Sequence, residues 1–326
     1  MSKNNSRREF IKISSLAGAG VAFTAGQPFF KDNDSKNANK KASEEAIIDI
    51  HQHTNYLGRT DDELLTHQRN MGITTTILLP AGHAVEYGST YYGISNGLQA
   101  EATANEACYK LAKELPKEFL FGAVEVPDLP GAIQEIEKYL KLGAPVMGEL
   151  KFGLECDSPE MENIYKLAQE YKVPVHQHWQ HNMYNRGFER FHTMLEKYPK
   201  VNFIGHSQTW WACMDLNYKD RNVLYPTGKV TPGGLTDRLL SDYPNMFGDF
   251  AAPSGLNAII RDEDHMRGFM ERHQDKLLFG SDCTDKLGHG PGCTGAMIIA
   301  GIRRLAPTKM IERKILYENA KRLLRL

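Results

Sequence analysis

The chain has 326 residues, enough for one large domain or two small ones, and its 39 Lys plus Arg nearly balance 40 Asp plus Glu. That balance argues against a general nucleic-acid surface and leaves a small-molecule site as the default expectation. Five cysteines (Cys108, Cys156, Cys213, Cys283, Cys293) at irregular spacing form neither a disulfide framework nor a zinc ribbon.

The first part of the chain reads as an address rather than as fold. Ser6-Arg7-Arg8-Glu9-Phe10-Ile11-Lys12 carries a twin arginine, followed by the weakly apolar run Ile13 to Ala25 and a polar Lys/Asn/Ser stretch to about Ser43. This looks like a twin-arginine export signal, expected over 1–26 and followed by a linker over 27–45. Export by that machinery would deliver a folded protein to the periplasm or beyond. No later stretch is apolar over the length needed to span a bilayer, so a soluble mature protein without a membrane span is expected.

From residue 46, short β-type runs alternate with helical patterns. Ile47-Ile48-Asp49-Ile50 opens the series and leads into His51-Gln52-His53. Asp61 to Met71 reads as a helix with an acidic first turn, ended by Gly72. Thr74 to Pro80 is the second strand, Leu98 to Leu115 a helix, and Phe119 to Val126 the third strand. Ala132 to Leu142 is helical before the fourth strand, Val146 to Phe152. Glu160 to Tyr171 precedes Val173 to His178, and Gly187 to Tyr198 precedes Val201 to His206. An irregular stretch rich in Trp, Tyr, Pro and Gly follows, from Thr209 to about Leu235. Asn245 to Phe250 is the seventh strand and Lys276 to Asp282 the eighth, before a closing helix, Lys309 to Leu324. Eight strands alternating with helices predict a (β/α)8 TIM barrel over 46–326. A doubly wound open sheet alternates in the same way. Only a closed sheet, however, lets the first, fifth, sixth and eighth strands converge on one point.

Those four strands end in ligand-type residues: His51 and His53, His176 and His178, His206, and Gly280-Ser281-Asp282. Residues two apart on a strand share a face, so His51 and His53 project together. Several strands each delivering a side chain from the C-terminal end is how a parallel barrel builds its active site. Glu149 and Lys151 on the fourth strand also share a face, either as site residues or as a buried pair that neutralises itself.

The combination His51-Gln-His53, His178, His206 and Gly280-Ser281-Asp282 resembles the metal-dependent amidohydrolase superfamily. The likeness is to the amidohydrolase-related branch that includes aminocarboxymuconate-semialdehyde and resorcylate-type decarboxylases, and it runs from about Ile47 to Leu326. The resemblance implies that His51, His53, His178 and Asp282 bind a divalent metal, zinc first, with manganese or iron as alternatives. His206 would ligate a second metal or act as a catalytic group beside the first. Glu149 would be a bridging ligand in a two-metal site, or else contact substrate or pair with Lys151. Three imidazoles and one carboxylate suit zinc and leave a position for water, with Asp282 to take its proton and His206 to polarise a carbonyl. The expected function is hydrolysis of a small-molecule amide, ester or lactone. Nonoxidative decarboxylation is the alternative on the same site, and a non-catalytic binding barrel a second alternative. The export signal favours hydrolysis.

Around this centre, Lys151, His176 and Trp179 are pocket candidates, with His176 the deeper of the two histidines of its strand. Trp210 and Trp211 could stack on a flat substrate, cap the barrel's apolar rim or meet a partner subunit. Arg186, Lys229, Arg238 and Arg261 could anchor a carboxylate. Cys283 reads as a small residue packed at a strand end, and His67 lies on a helix away from the strand ends. Related barrels often form dimers or tetramers.

Overall fold

Helix α1 (Asp61–Met71) shows how local sequence sets the elements. Thr60 caps it, its hydroxyl accepting from the Glu63 N–H while the Glu63 side chain accepts from the Thr60 N–H, and Gly72 ends it at φ 81°. The spacing buries Leu64, His67, Gln68 and Met71 along one face. The structure, a computed structural model, describes residues 45–80 and 105–326. The expected export signal, the polar stretch to residue 44, the loop at 82–95 and the first turns of the helix expected from Leu98 lie outside the described residues.

Within Ala46–Leu326 the strands are β1 (Ile48–Gln52), β2 (Thr75–Leu78), β3 (Phe119–Phe121) and β4 (Met147–Leu150). They continue with β5 (Val175–His178), β6 (Phe203–His206), β7 (Met246–Asp249) and β8 (Leu277–Leu278). Between them lie α2 (Asn105–Glu114), α3 (Ala132–Lys141), α4 (Pro159–Tyr171), α5 (His192–Lys197), α6 (Gln208–Ala212) and α7 (Leu235–Asp242). After β7 come α8 (Ala252–Arg261) and α9 (Glu263–Arg272), and after β8 come α10 (Thr294–Leu305), α11 (Lys309–Arg313), one π turn (Lys314–Glu318) and α12 (Asn319–Leu324).

All neighbouring strands pair in parallel, β1 to β3 in one ladder and β4 to β8 in another. Backbone bonds close the ring at both seams. Ala123 donates to Val146 O and accepts from Gly148 N–H, each at 3.0 Å, which joins β3 to β4. Ile50 N–H donates to Phe279 O at 3.1 Å and Asp282 N–H to His51 O at 2.8 Å, which joins β8 to β1. The fold is therefore the predicted (β/α)8 barrel.

Several boundaries differ from the sequence reading. The third strand stops at Phe121 and the eighth spans only Leu277–Leu278. The helix expected over 187–198 is split into a 3-10 turn at Phe188–Arg190 and α5. Helices α7 to α10 fall where the periodicity was not assigned.

Two apolar layers flank the strands. Ile48, Ile50, Ile77, Val146, Ile204, Phe247 and Leu278 fill the barrel interior over Ala320, Leu323 and Leu324 of α12. Ile47, Val175, Phe203, Met246 and Leu277 face the helices. Strict alternation from Ile48 and Ile50 would turn His51 outward. The β1–β2 register shifts between Asp49 and Gln52, and this brings His51 and His53 to the inner face. A second shift, between Met147 and Leu150, lies at Glu149.

Gly205 of β6 lies beneath the Trp210 indole, where an added Cβ would sit 2.4 Å from a ring carbon. Gly205→Ala is expected to overpack the fully buried Trp210 and cost about 1–3 kcal/mol, read as a lower urea midpoint at unchanged slope.

Candidate metal centre

The inner face at the C-terminal ends of the strands gathers His51 and His53 from β1, Glu149 from β4, His176 and His178 from β5, and His206 from β6. Asp249 ends β7, and Asp282 follows β8. Each of these eight residues is less than one-tenth exposed.

Hydrogen bonds fix the two β1 imidazoles. His53 Nδ1 donates to Leu79 O at 2.6 Å, and His51 Nδ1 to Asp249 Oδ2 at 2.9 Å. Both therefore present Nε2 to the centre, and the two Nε2 atoms lie 3.2 Å apart. Two imidazole lone pairs that close require a proton or a cation between them. Carboxylates complete the surroundings: Glu149 Oε2 lies 3.6 Å from His51 Nε2 and 3.5 Å from His53 Nε2, and Asp282 Oδ1 lies 3.5 Å from His53 Nε2.

Glu149 divides its oxygens between two histidine groups. Its Oε2 faces His51 and His53, while its Oε1 lies 2.7 Å from His178 Nδ1 and 3.9 Å from His206 Nε2. Asp282 Oδ2 lies 3.6 Å from His206 Nε2. Donor atoms therefore converge as His51, His53 and Glu149, as His51, His206 and Asp282, and as Glu149, His178 and His206. His178 belongs to the last of these and not to the His51/His53 pair with which the sequence grouped it.

The buried polar atoms fit a cation. Both ring nitrogens of His206 and Oδ1 of Asp282 are buried with no hydrogen-bond partner, although each nitrogen has a carboxylate within ion-pair distance. Two or three imidazoles with one or two carboxylates form a borderline donor set suited to zinc, manganese or iron. The charges agree. Burial opposes charging His51, yet Asp282, Glu149 and Asp249 hold its pKa well above the ordinary histidine value. Burial likewise opposes ionisation of Glu149, Asp249 and Asp282, and their imidazole neighbours pull all three below the usual carboxylate range. The arrangement calls for positive charge, which a proton on His51 supplies when no ion is bound.

Asp282 sits at φ 39° and Ser207, next to His206, at φ 85°. Non-glycine residues are rarely held there, and both flank site groups. Ser207 Oγ lies 2.8 Å from His178 Nε2 and, its own proton given to Gln208 Oε1, accepts from the ring, which leaves Nδ1 to face Glu149. Gly280 admits no side chain, because a Cβ would lie 2.5 Å from Asp249 Oδ1 and 2.7 Å from His51 Cβ.

The remaining candidates separate. Lys151 is buried beside Glu149 and Asp282, with burial lowering its pKa, and its Nζ lies 5.7 Å from the Tyr184 ring. His176 is a supporting group, with Nε2 on Asp249 Oδ2 at 2.9 Å. The three tryptophans do not line a pocket around the centre. Trp179, the residue after β5, is fully buried against Phe188 and Phe191. Trp211 stacks on Phe250 at 4.5 Å and donates to Asp249 O at 2.9 Å, and Trp210 covers Gly205. Arg186, Lys229 and Arg261 pair with Glu155, Asp262 and Asp215, away from the centre. Asp249, which links His51 and His176, was passed over in the sequence. The signal was there: it ends an apolar strand as Asp282 does.

Burial pushes the His176 pKa down from 6.5 to about 4. The native state then refuses a proton that the unfolded chain accepts, so this group's contribution to stability falls as pH drops from about 6.5 to about 4. Over that window the parent protein should lose more stability than His176→Gln, measured by urea unfolding at each pH.

The family model described as Amidohydrolase matches residues 48–326. No curated protein matches the sequence. Among solved structures, an uncharacterised TIM-barrel protein from Bordetella bronchiseptica is similar at 15% identity and TM-score 0.58, covering 86% of this chain and 99% of its own. A dihydroxybenzoic acid decarboxylase from a Polaromonas species, solved with bound manganese and an inhibitor, is similar at 15% identity and TM-score 0.53, covering 86% and 97%. A probable 2-pyrone-4,6-dicarboxylic acid hydrolase from Acinetobacter baumannii, solved with citric acid, is similar at 14% identity and TM-score 0.53, covering 86% and 99%. At such identities these neighbours show the fold, and the family match over nearly the whole barrel shows the kinship: the chain belongs to the amidohydrolase family.

Proposed function

We propose that this protein is a metal-dependent hydrolase of a small-molecule amide, ester or lactone. The observation that carries the reading is Glu149, whose two oxygens face His51 and His53 on one side and His178 and His206 on the other. A carboxylate so placed suits two divalent ions, one held by His51, His53, Glu149 and Asp282, the other by Glu149, His178 and His206. Bound ions supply Lewis acidity, and zinc or manganese fits the donors.

The protein groups do the rest. Asp282, ionised and with Oδ1 free of hydrogen bonds, takes the proton of the attacking water and returns it to the leaving group. Asp249 holds the His51 ring, so that its Nε2 points at the centre. Lys151, buried at the same mouth, offers a cation to a carboxylate on the substrate. The twin arginine at Arg7-Arg8 supports action outside the cytoplasm.

Nonoxidative decarboxylation is the second reading. The Polaromonas neighbour with manganese is named for that chemistry, and Lys151 would serve equally to orient a carboxylate that is to be lost.

Metal analysis after loading with manganese, a hard ion that goes to the histidine and carboxylate centre rather than to thiols, separates the readings. Two equivalents per chain, falling to one in Glu149→Gln, support the bridged hydrolase. One equivalent, unchanged in Glu149→Gln, favours the decarboxylase, and none in a folded, metal-reconstituted sample overturns both. Asp282→Asn should lower kcat on a screened lactone or ester by on the order of 100-fold or more. Asp249→Asn should weaken metal affinity by about 10–100-fold in a chelator competition, since it frees the His51 ring. Lys151→Met should raise KM for carboxylated substrates more than it lowers kcat.

A further inference from the structure

Behind Asp282, on the helix side of the β8–β1 seam, four soft or borderline donors meet. His67 and Met71 lie one turn apart on the buried face of α1, Cys283 follows Asp282, and Cys293 caps α10. Cys283 Sγ lies 3.9 Å from Cys293 Sγ, and Cys293 Sγ lies 3.4 Å from His67 Nε2 and 3.6 Å from Met71 Sδ. His67, Cys283 and Cys293 each offer a ligand atom within 4.8 Å of the others. Two sulfurs about 2.3 Å from one tetrahedral ion would lie about 3.8 Å apart, which is the spacing found.

We propose that His67, Cys283 and Cys293, with the Met71 thioether, form a second metal site that takes a thiophilic d10 cation, zinc(II) or copper(I). Two features favour a ligand over plain packing of small side chains. His67 Nδ1 is fully buried without a hydrogen-bond partner, and Nε2 faces Cys293 Sγ, with Asp285 Oδ2 4.0 Å away. Cys293 stands at the N-terminus of a twelve-residue helix and accepts from Ala296 N–H at 3.4 Å, which holds its sulfur between Cys283 Sγ and His67 Nε2. The Arg59 guanidinium, buried alongside, donates to the Cys283 carbonyl at 2.7 Å and to the Asp285 carbonyl at 2.9 Å. Binding displaces one proton from each thiol. Two thiolates neutralise zinc(II), which suits a site this buried, whereas the thioether suits copper(I). Either ion would tie α1 to the chain on both sides of the 284–292 loop and brace the segment that presents Asp282.

The test uses the full chain, reduced with a phosphine, in wild type and in Glu149→Gln, which alters the catalytic centre and leaves this one whole. Cobalt(II) titration should produce thiolate-to-cobalt charge-transfer absorption in the near ultraviolet, reaching the same final amplitude in both proteins, with the intensity of one cobalt bound to two thiolates. Cys283→Ser and Cys293→Ser should lose the absorption. His67→Gln, which keeps both thiols should either serine variant fail to fold, should bind at least about tenfold more weakly. Zinc should displace the cobalt, and a chelator competition with copper(I) then ranks the two ions. Met71→Leu should weaken copper(I) while sparing zinc. Loading with the preferred ion should remove two thiols from reaction with a thiol reagent. No charge-transfer band and an unchanged thiol count in folded protein would overturn the proposal. So would a chain isolated before reduction with a mass lower by two hydrogens that zinc or copper(I) cannot load once reduced, since the pair would then be a disulfide.

Discussion

The seam between the last strand and the first is the constraint on which the site depends. Ile50 and Phe279, then His51 and Asp282, are joined by backbone hydrogen bonds. Asp49 locks the same seam, accepting from both the N–H and the hydroxyl of Ser281, while Gly280 lets the two strands approach without a side chain between them. Two groups from opposite ends of the barrel sequence are thereby set within reach of one ion. The positioning comes from backbone bonds and a buried carboxylate, which yield less readily than side-chain contacts, and catalytic rates fall steeply with displacement of the reacting groups.

The second constraint is charge. Glu149, Asp249 and Asp282 are buried together, at a desolvation cost that only nearby positive charge can offset. Imidazoles serve that purpose when protonated, and a divalent ion does so better. The centre is therefore an electrostatic demand built into the fold, balanced when loaded and strained when not. His176, Asp249 and Ser207 belong to it as supports: each orients a ring whose other nitrogen or neighbour faces the centre.

Aromatic packing sets the limit of the site on the β5–β6 side. Trp179, Trp210 and Trp211 fill the layer between strands and helices, and Trp211 secures Asp249 by donating to its carbonyl. Their bulk stabilises the strands that deliver His178, His206 and Asp249 and presents no stacking face to the centre. The side chains left around the centre are polar, the buried Lys151 among them.

What could be read from the chain alone was local. Alternation of β-type and helical runs predicted the barrel, and ligand-type residues at strand ends predicted that His51, His53, His178 and Asp282 would meet, with His206 beside them. Face and grouping were less legible. Alternation counted from Ile48 and Ile50 aims His51 outward, and a register shift in β1 reverses it. Asp249 looked like an ordinary strand residue until His51 and His176 were seen bonded to it. His67 and Cys283 looked unremarkable because one lies on a helix and the other merely follows a ligand, and nothing in their spacing announces that α1 packs against the loop after β8. Periodicity thus determined the elements and the chemistry each could deliver, because both depend on neighbours in sequence. Which donors share a cation, which aromatic rings turn away from the mouth and which sulfurs meet an imidazole were decided only by closure of the barrel. Those outcomes rest on hydrogen bonds and packing between residues tens to hundreds of positions apart, which no local pattern records.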